Sequence, residues 1–212
     1  MNERGFLKGE ALHQTFALLR ANDMIWSFII NNYMLGKEPF PFDLLYWNDD
    51  PTNIPAELYH EYLKNMYVQN DLCQKNKLTI KGQKLDITSF DTPCHFISAK
   101  DDHIAPWIAT YNGAKKLKKA KFTLSGSGHI AGIINPPNKK KYGYWSSDKR
   151  PESAEEWMIG AEHNEGSWWP HWHAWISKFT GKQTAPYKPK KGIEKAPGSY
   201  VKLRYEDIDK SE

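Results

Sequence analysis

Apolar residues recur at helical spacing through the first third of the chain. Phe6, Leu7, Leu12, Phe16 and Leu19 outline one amphipathic segment, and Met24 to Leu35 a second, more hydrophobic one. Asn22 and Asp23 between them offer turn chemistry and a helix cap, and Gly36 ends the second segment. Pro39 and Pro41 isolate a short run, Phe42 to Trp47, with the character of a strand. The polar stretch Asp49 to Asn53 then leads into a helix predicted from Pro55 to about Val68. Its Leu58, Tyr59, Tyr62, Leu63 and Tyr67 form a face that needs something to pack against.

The pattern changes in the middle of the chain. Lys77 to Lys81 and Lys84 to Ile87 read as two short strands around a turn at Gly82-Gln83. Cys94 to Ser98 predicts another strand, Pro106 to Leu117 a helix, and Lys121 to Ser125 a further strand. Strand, loop, helix, strand in that order is the signature of a parallel sheet, so the fold class predicted is α/β. In the last third, Trp157, Trp168, Trp169, Trp172 and Trp175 accompany two short helical stretches and read as packing rather than as a substrate platform. Beyond Gly181, Pro, Lys and Gly dominate, which predicts an extended tail. No internal repeat is present.

Composition narrows the setting. The 212 residues, 40% of them hydrophobic, suffice for one domain with a real core and an attached subdomain. Mean hydropathy is -0.72, and no apolar run approaches the roughly 18 residues of a membrane span. The N-terminus lacks the apolar stretch of a signal peptide. Two cysteines, Cys73 and Cys94, are too few for a disulfide scaffold and fit a reducing compartment. The expectation is a soluble, cytoplasmic protein. A net charge of +4 is modest and points to no nucleic-acid role. The lysine clusters at 115–119, 139–141 and 188–191 read as solvated faces, with attraction of a polyanionic ligand as the other reading.

Candidate chemistry lies in two loops. Ser98-Ala-Lys-Asp-Asp-His-Ile-Ala-Pro-Trp107 and Ser125-Gly-Ser-Gly-His-Ile-Ala-Gly-Ile-Ile-Asn-Pro-Pro137 each follow a predicted parallel strand. A strand–helix–strand crossover brings both strand ends to one edge of the sheet, where open α/β sheets hold ligands. Asp102 and His129 are thereby candidates to meet in space. A carboxylate that accepts from one imidazole nitrogen leaves the other to act as a base. Acid before histidine is also the order of the α/β-hydrolase triad. Gly126 and Gly128 are expected to let the histidine loop turn sharply. Taken alone, the pair reads equally well as an acid and a histidine in solvated loops.

Asp101-Asp-His-Ile-Ala-Pro-Trp107 and Gly126-Ser-Gly-His-Ile-Ala-Gly-Ile-Ile-Asn-Pro-Pro137 resemble the acid and histidine motifs of polyhydroxyalkanoate synthases. So do Phe42-Asp-Leu-Leu-Tyr-Trp-Asn48, Thr52-Asn-Ile-Pro55 and Asn65-Met-Tyr-Val-Gln-Asn70. Gly166-Ser-Trp-Trp-Pro170 and Ala196-Pro-Gly-Ser-Tyr-Val201 are similar to the class with a single long catalytic chain. The family polymerises (R)-3-hydroxyacyl coenzyme A into an intracellular polyester and releases coenzyme A. The resemblance implies that His129 is the general base for the nucleophilic thiol and the incoming hydroxyl. Asp102 would orient His129 or help activate the substrate hydroxyl. His103, beside the acid, is a candidate pocket residue, with a satisfied structural histidine as the other reading.

The family's nucleophile is a cysteine in a Gly-x-Cys-x-Gly elbow upstream of the acid. Cys73 and Cys94 have no flanking glycines, and Cys94 falls inside a predicted strand, where a buried, inert thiol is expected. Neither is the expected nucleophile. The chain thus matches the C-terminal half of an α/β-hydrolase fold with a helical cap segment at its N-terminus, beyond the elbow and the early strands. The expected division is a cap segment at 1–75, the catalytic-domain portion at 76–182 and a tail at 183–212. A sheet without its early strands would leave Cys94 to Ser98 or Lys121 to Leu124 as an open edge. His171 and His173 lack a third ligand at usable spacing, so no metal is expected, and no cofactor is implied. The implied partners are the acyl-CoA substrate, the polyester product, and a second copy or a cysteine-bearing chain. The alternative is a non-catalytic partner or a pseudo-enzyme on polymer granules.

Overall fold

A computed structural model of the chain describes residues 4–19, 21–39 and 50–203. The run Phe42 to Trp47, expected as a strand, lies outside them. The chain divides into two compact units, Met1–Trp169 and Pro170–Glu212. The whole is mixed α/β, with helices and a mixed sheet.

The first unit opens with strand β1 (Phe6–Leu7) and helix α1 (Gly9–Leu19). Helical backbone resumes as two stretches of wider pitch, Asn22–Trp26 and Ile29–Met34, closed by bonds five residues apart such as Leu35 N–H to Ile30 O at 2.9 Å. Asn22 and Asp23 therefore do not break the helical path as expected. A side-chain cap needs non-helical backbone at the cap residue, and Ala21 is helical at φ -53° and ψ -36°. Strand β2 (Ile54–Pro55) pairs antiparallel with β1, and Asn53 Oδ1 accepts from the N–H of Gly9 at 3.0 Å. Helix α2 (Ala56–Tyr62) follows and continues in wide turns over Leu63–Val68.

Strands β3 (Thr79–Ile80) and β4 (Gln83–Lys84) form the expected hairpin, one residue out of the expected place. The turn is Lys81-Gly82, with φ of 47° and 75°. Positive φ at both central positions marks a type I′ two-residue loop, in which Gly82 takes the second position and Gln83 enters the strand.

The principal sheet holds β5 (Cys94–Ala99), β6 (Ala120–Ser125), β7 (Tyr144–Ser146) and β8 (Glu162–Asn164), in that spatial order. β5 and β6 are parallel, with Phe96 opposite Phe122 and Ala99 opposite Ser125. β7 and β8 then add antiparallel, so the sheet is mixed rather than purely parallel. β6 is consequently interior and buried from Phe122 to Ser125, and among the described residues only β5 of the two candidates lies at an edge of the sheet. Helices α3 (Trp107–Ala114) and α4 (Ala154–Gly160) cover the sheet. Ser153 caps α4, its Oγ accepting from the N–H of Glu156 at 3.0 Å.

The core is aromatic. Phe122 meets Trp157 at 4.8 Å between ring centroids and Tyr111 at 5.3 Å, both edge to face at 81°. Ala114, Leu124 and Ala154 complete it. The Tyr111 hydroxyl, buried with its ring, donates to Pro151 O at 2.6 Å, which meets its hydrogen-bonding need. The second unit holds most of helix α5 (Trp169–Ile176) and a short turn at Tyr200–Lys202. Residues 180–199 contain neither helix nor strand.

Candidate active site

Parallel pairing of β5 and β6 in register, Ala99 opposite Ser125, carries the loops after them to the same edge of the sheet. Two backbone bonds then join the loops directly. Lys100 N–H donates to Ser125 O at 2.8 Å and Asp101 N–H to Ser127 O at 3.0 Å. The structure thus brings Asp102 and His129 together, with His129 Nδ1 2.8 Å from Asp102 Oδ2.

The acid is held from both sides. Its Oδ1 accepts from the N–H groups of Ile104 at 2.8 Å and Ala105 at 2.9 Å. Only 6% of the Asp102 side chain is exposed, against 47% for His129. Burial pushes the Asp102 carboxyl up, but the N–H of Ala105, the His129 ring and the N–H of Ile104 together hold it below the usual carboxylate range. An ionised carboxylate is an acceptor only, so the proton between the two groups belongs to His129 Nδ1. In a neutral ring with its proton on Nδ1, Nε2 is the nitrogen left without one. Such a geometry is one that can serve as a base with an orienting acid.

The loop that carries His129 owes its shape to more residues than those expected. Neither Gly126 nor Gly128 has a positive φ; Ser127 does, at 69°. The tightest approach is at Gly132, where a Cβ would lie 2.7 Å from Ala99 Cβ and from Gly126 O. Gly132 N–H donates to Gly128 O at 2.9 Å, and its carbonyl accepts from Ser125 Oγ at 2.5 Å. Asn135, buried, donates to Lys141 O at 2.8 Å and closes the loop. Trp168 and Trp169 also reach the loop through their indole N–H groups, at Gly132 O and Ile133 O. Their adjacency was visible in sequence, but not where they point.

The remaining candidates occupy other positions along the chain. Cys94 opens β5, whereas Asp102 follows its end; six extended residues span roughly 16 Å. The thiol, half-buried rather than buried, donates to Thr92 O at 3.4 Å. Cys73 is half-buried in a turn at Asp71–Cys73. His103 is exposed in the acid loop. His171 and His173 lie on α5. Among the described residues, no group of three His, Cys, Asp or Glu side chains is placed to hold a metal ion. None of the described helices is long and apolar enough to cross a membrane.

The chain is 45% identical over 204 residues to the poly(3-hydroxyalkanoate) polymerase subunit PhaC of Cupriavidus necator, covering 93% of this chain and 35% of that protein. It is 40% identical over 208 residues to the PhaC subunit of Rhizobium meliloti, with coverage of 96% and 34%. Against the poly(3-hydroxyalkanoate) polymerase of Methylorubrum extorquens it is 38% identical over 210 residues, with coverage of 96% and 34%. The chain therefore spans about a third of the length of the curated relatives it matches. No family model matches it. Over more than nine-tenths of its length the chain is thus similar to poly(3-hydroxyalkanoate) polymerases, consistent with a C-terminal portion of such a polymerase.

Proposed function

We propose that this chain supplies the acid and the base of a polyester synthase that polymerises (R)-3-hydroxyacyl coenzyme A. The observation that carries the reading is the 2.8 Å contact between His129 Nδ1 and Asp102 Oδ2 at the end of two parallel strands. His129 Nε2 takes the proton of a cysteine thiol, and the thiolate attacks the thioester carbonyl. The proton returns to the coenzyme A sulfur as it leaves. In the next step the same nitrogen takes the proton of a substrate hydroxyl, which attacks the acyl group on the cysteine; the C–S bond breaks and the proton passes to the departing cysteine sulfur. Asp102 holds the ring in the tautomer that leaves Nε2 unprotonated. This acyl transfer between sulfur and oxygen draws on no organic cofactor or metal.

The nucleophile is not Cys73 or Cys94. Cys94 is at the far end of β5, and neither cysteine has the glycine neighbours of a nucleophile elbow. A cysteine outside these 212 residues fills that role, and His103 lines the substrate pocket. In this reading the sheet region, 76–182, is the C-terminal half of an α/β-hydrolase domain, 1–75 is its cap segment and 183–212 its tail. A second reading, a non-catalytic partner or a granule-bound pseudo-enzyme, draws on the exposed apolar side chains of the helical stretches, among them Trp26, Phe28, Tyr33 and Met34.

Co-expression with a polypeptide carrying the Gly-x-Cys-x-Gly segment of a relative separates the two. Polymer is expected from the pair. His129→Ala removes it, because loss of a general base costs about 100- to 10,000-fold, while His173→Ala leaves it at the unsubstituted level. A pair that associates but makes no polymer favours the non-catalytic reading. Equal polymer with His129→Ala overturns the assignment of the base.

A further inference from the structure

Two neighbouring indoles hold the histidine loop from outside the acid–base pair. Trp168 Nε1–H donates to Gly132 O and Trp169 Nε1–H to Ile133 O, each at 3.0 Å. The rings are half-buried and meet edge to face, 6.4 Å apart at 75°, so each restricts the other. The backbone beneath them is set by Gly166 at φ +82° and by Ser167 Oγ, which accepts from the N–H of Trp169 at 3.1 Å.

The two carbonyls belong to the turn that carries the histidine. Gly132 N–H bonds the carbonyl of Gly128, the residue before His129. Ile133 and Ile134 N–H groups bond the carbonyl of Ile130, the residue after it. Each indole thus anchors a residue whose own N–H is tied to a neighbour of His129.

We propose that Trp168 and Trp169 are positioning residues for the His129 ring, a role that rests on His129 being the general base. An imidazole 47% exposed has little packing to fix it, so its aim depends on the loop backbone. A small shift there lengthens the bond to Asp102 and misdirects Nε2, and misplacement of about 1 Å costs up to roughly 100-fold in rate. The two indoles carry unequal loads. Without the Trp168 N–H, Gly132 O still accepts from Ser125 Oγ. Among the described residues, Ile133 O has the Trp169 indole as its side-chain donor, with none to replace it.

Trp169→Phe and Trp168→Phe keep an aromatic ring and delete only the N–H. The ¹⁵N signals of the His129 ring in the full chain report its tautomer, and turnover is read in the co-expressed pair. Trp169→Phe is expected to lower the Nδ1–H fraction and to reduce kcat about three- to tenfold, the loss of one hydrogen bond, with KM changed less than about twofold. Trp168→Phe is expected to cost less than about threefold. If both variants leave tautomer and kcat unchanged while His129→Ala abolishes turnover, the positioning role fails and the base assignment stands. An unchanged tautomer, with kcat falling only as folded protein is lost, reduces the indoles to structure and also overturns the proposal. If His129→Ala has no effect, the base assignment fails. The tautomer in the full chain then still decides whether the indoles hold the ring.

Discussion

Trp157 and Tyr111 in the sheet region are each 1% exposed, whereas Tyr33 in the helical stretches is 87% exposed. The sheet region packs α3 and α4 against β6 and closes an aromatic core with its own elements. The helices between Gly9 and Val68 instead leave Phe16, Trp26, Phe28, Ile30 and Tyr67 exposed. Both regions are amphipathic, but only one finds its complement among the described residues. Short helices are marginal in water without tertiary packing. The acid–base pair is therefore built on the part of the chain that organises itself, and the helical part depends on whatever covers its apolar face.

That contrast can be broken most severely at Trp157. Trp157→Ala opens a cavity against Phe122 and Tyr111 and is expected to cost about 3–5 kcal/mol in denaturant unfolding. A cost under about 1 kcal/mol would mean that the sheet region is not the stable part. A smaller effect is expected at Gly132, where a methyl group has no space beside Ala99 and Gly126. Gly132→Ala should destabilise by about 1–3 kcal/mol. At Gly128, a Cβ would meet only Asp101 O at 3.8 Å, so Gly128→Ala should change stability by less than about 0.5 kcal/mol.

Acid sharpens the comparison further. The folded chain holds the Asp102 carboxyl below its ordinary value, despite burial, through Ala105, His129 and Ile104. Such a group binds its proton more readily when unfolded. Its stabilisation is complete above the unfolded pKa of about 3.9 and is lost as pH falls through the lower folded value. Unfolding followed from pH 7 to pH 3 should show a shallower acid loss for Asp102→Asn. It should not become flat, because Asp86, Asp91 and Glu152 are also lowered, chiefly by bonds to Thr88, Lys119 and Lys115. An acid limb identical to the parent's would show that Asp102 contributes nothing to it. A comparably small effect belongs to the helices. Tyr33→Ser with Met34→Ser should alter stability by only about 0.5 kcal/mol while reducing self-association in sedimentation. A loss above about 2 kcal/mol would show that this face is buried after all.

Much of the site could be read from residue order alone. Apolar runs ending in Ser98 and Ser125, with a helical pattern between them, located both strands and the edge where their loops meet. The acid and histidine motifs singled out Asp102 and His129. For the strands, hydrophobic period and chain order suffice, because β5 and β6 are long enough to show a pattern and their connection has few topological choices; the choice of Asp102 and His129 rested on the family resemblance. Tertiary structure decided the rest. β7 and β8 are three residues each, too short for any period. They exist as strands because the N–H and C=O groups along β6 require partners. The helical backbone at Asn22 and the positive φ at Ser127 are likewise imposed by their surroundings over local preference. The indole bonds join residues 36 positions apart, a distance over which sequence shows which groups exist but not which meet, since that depends on how the chain packs.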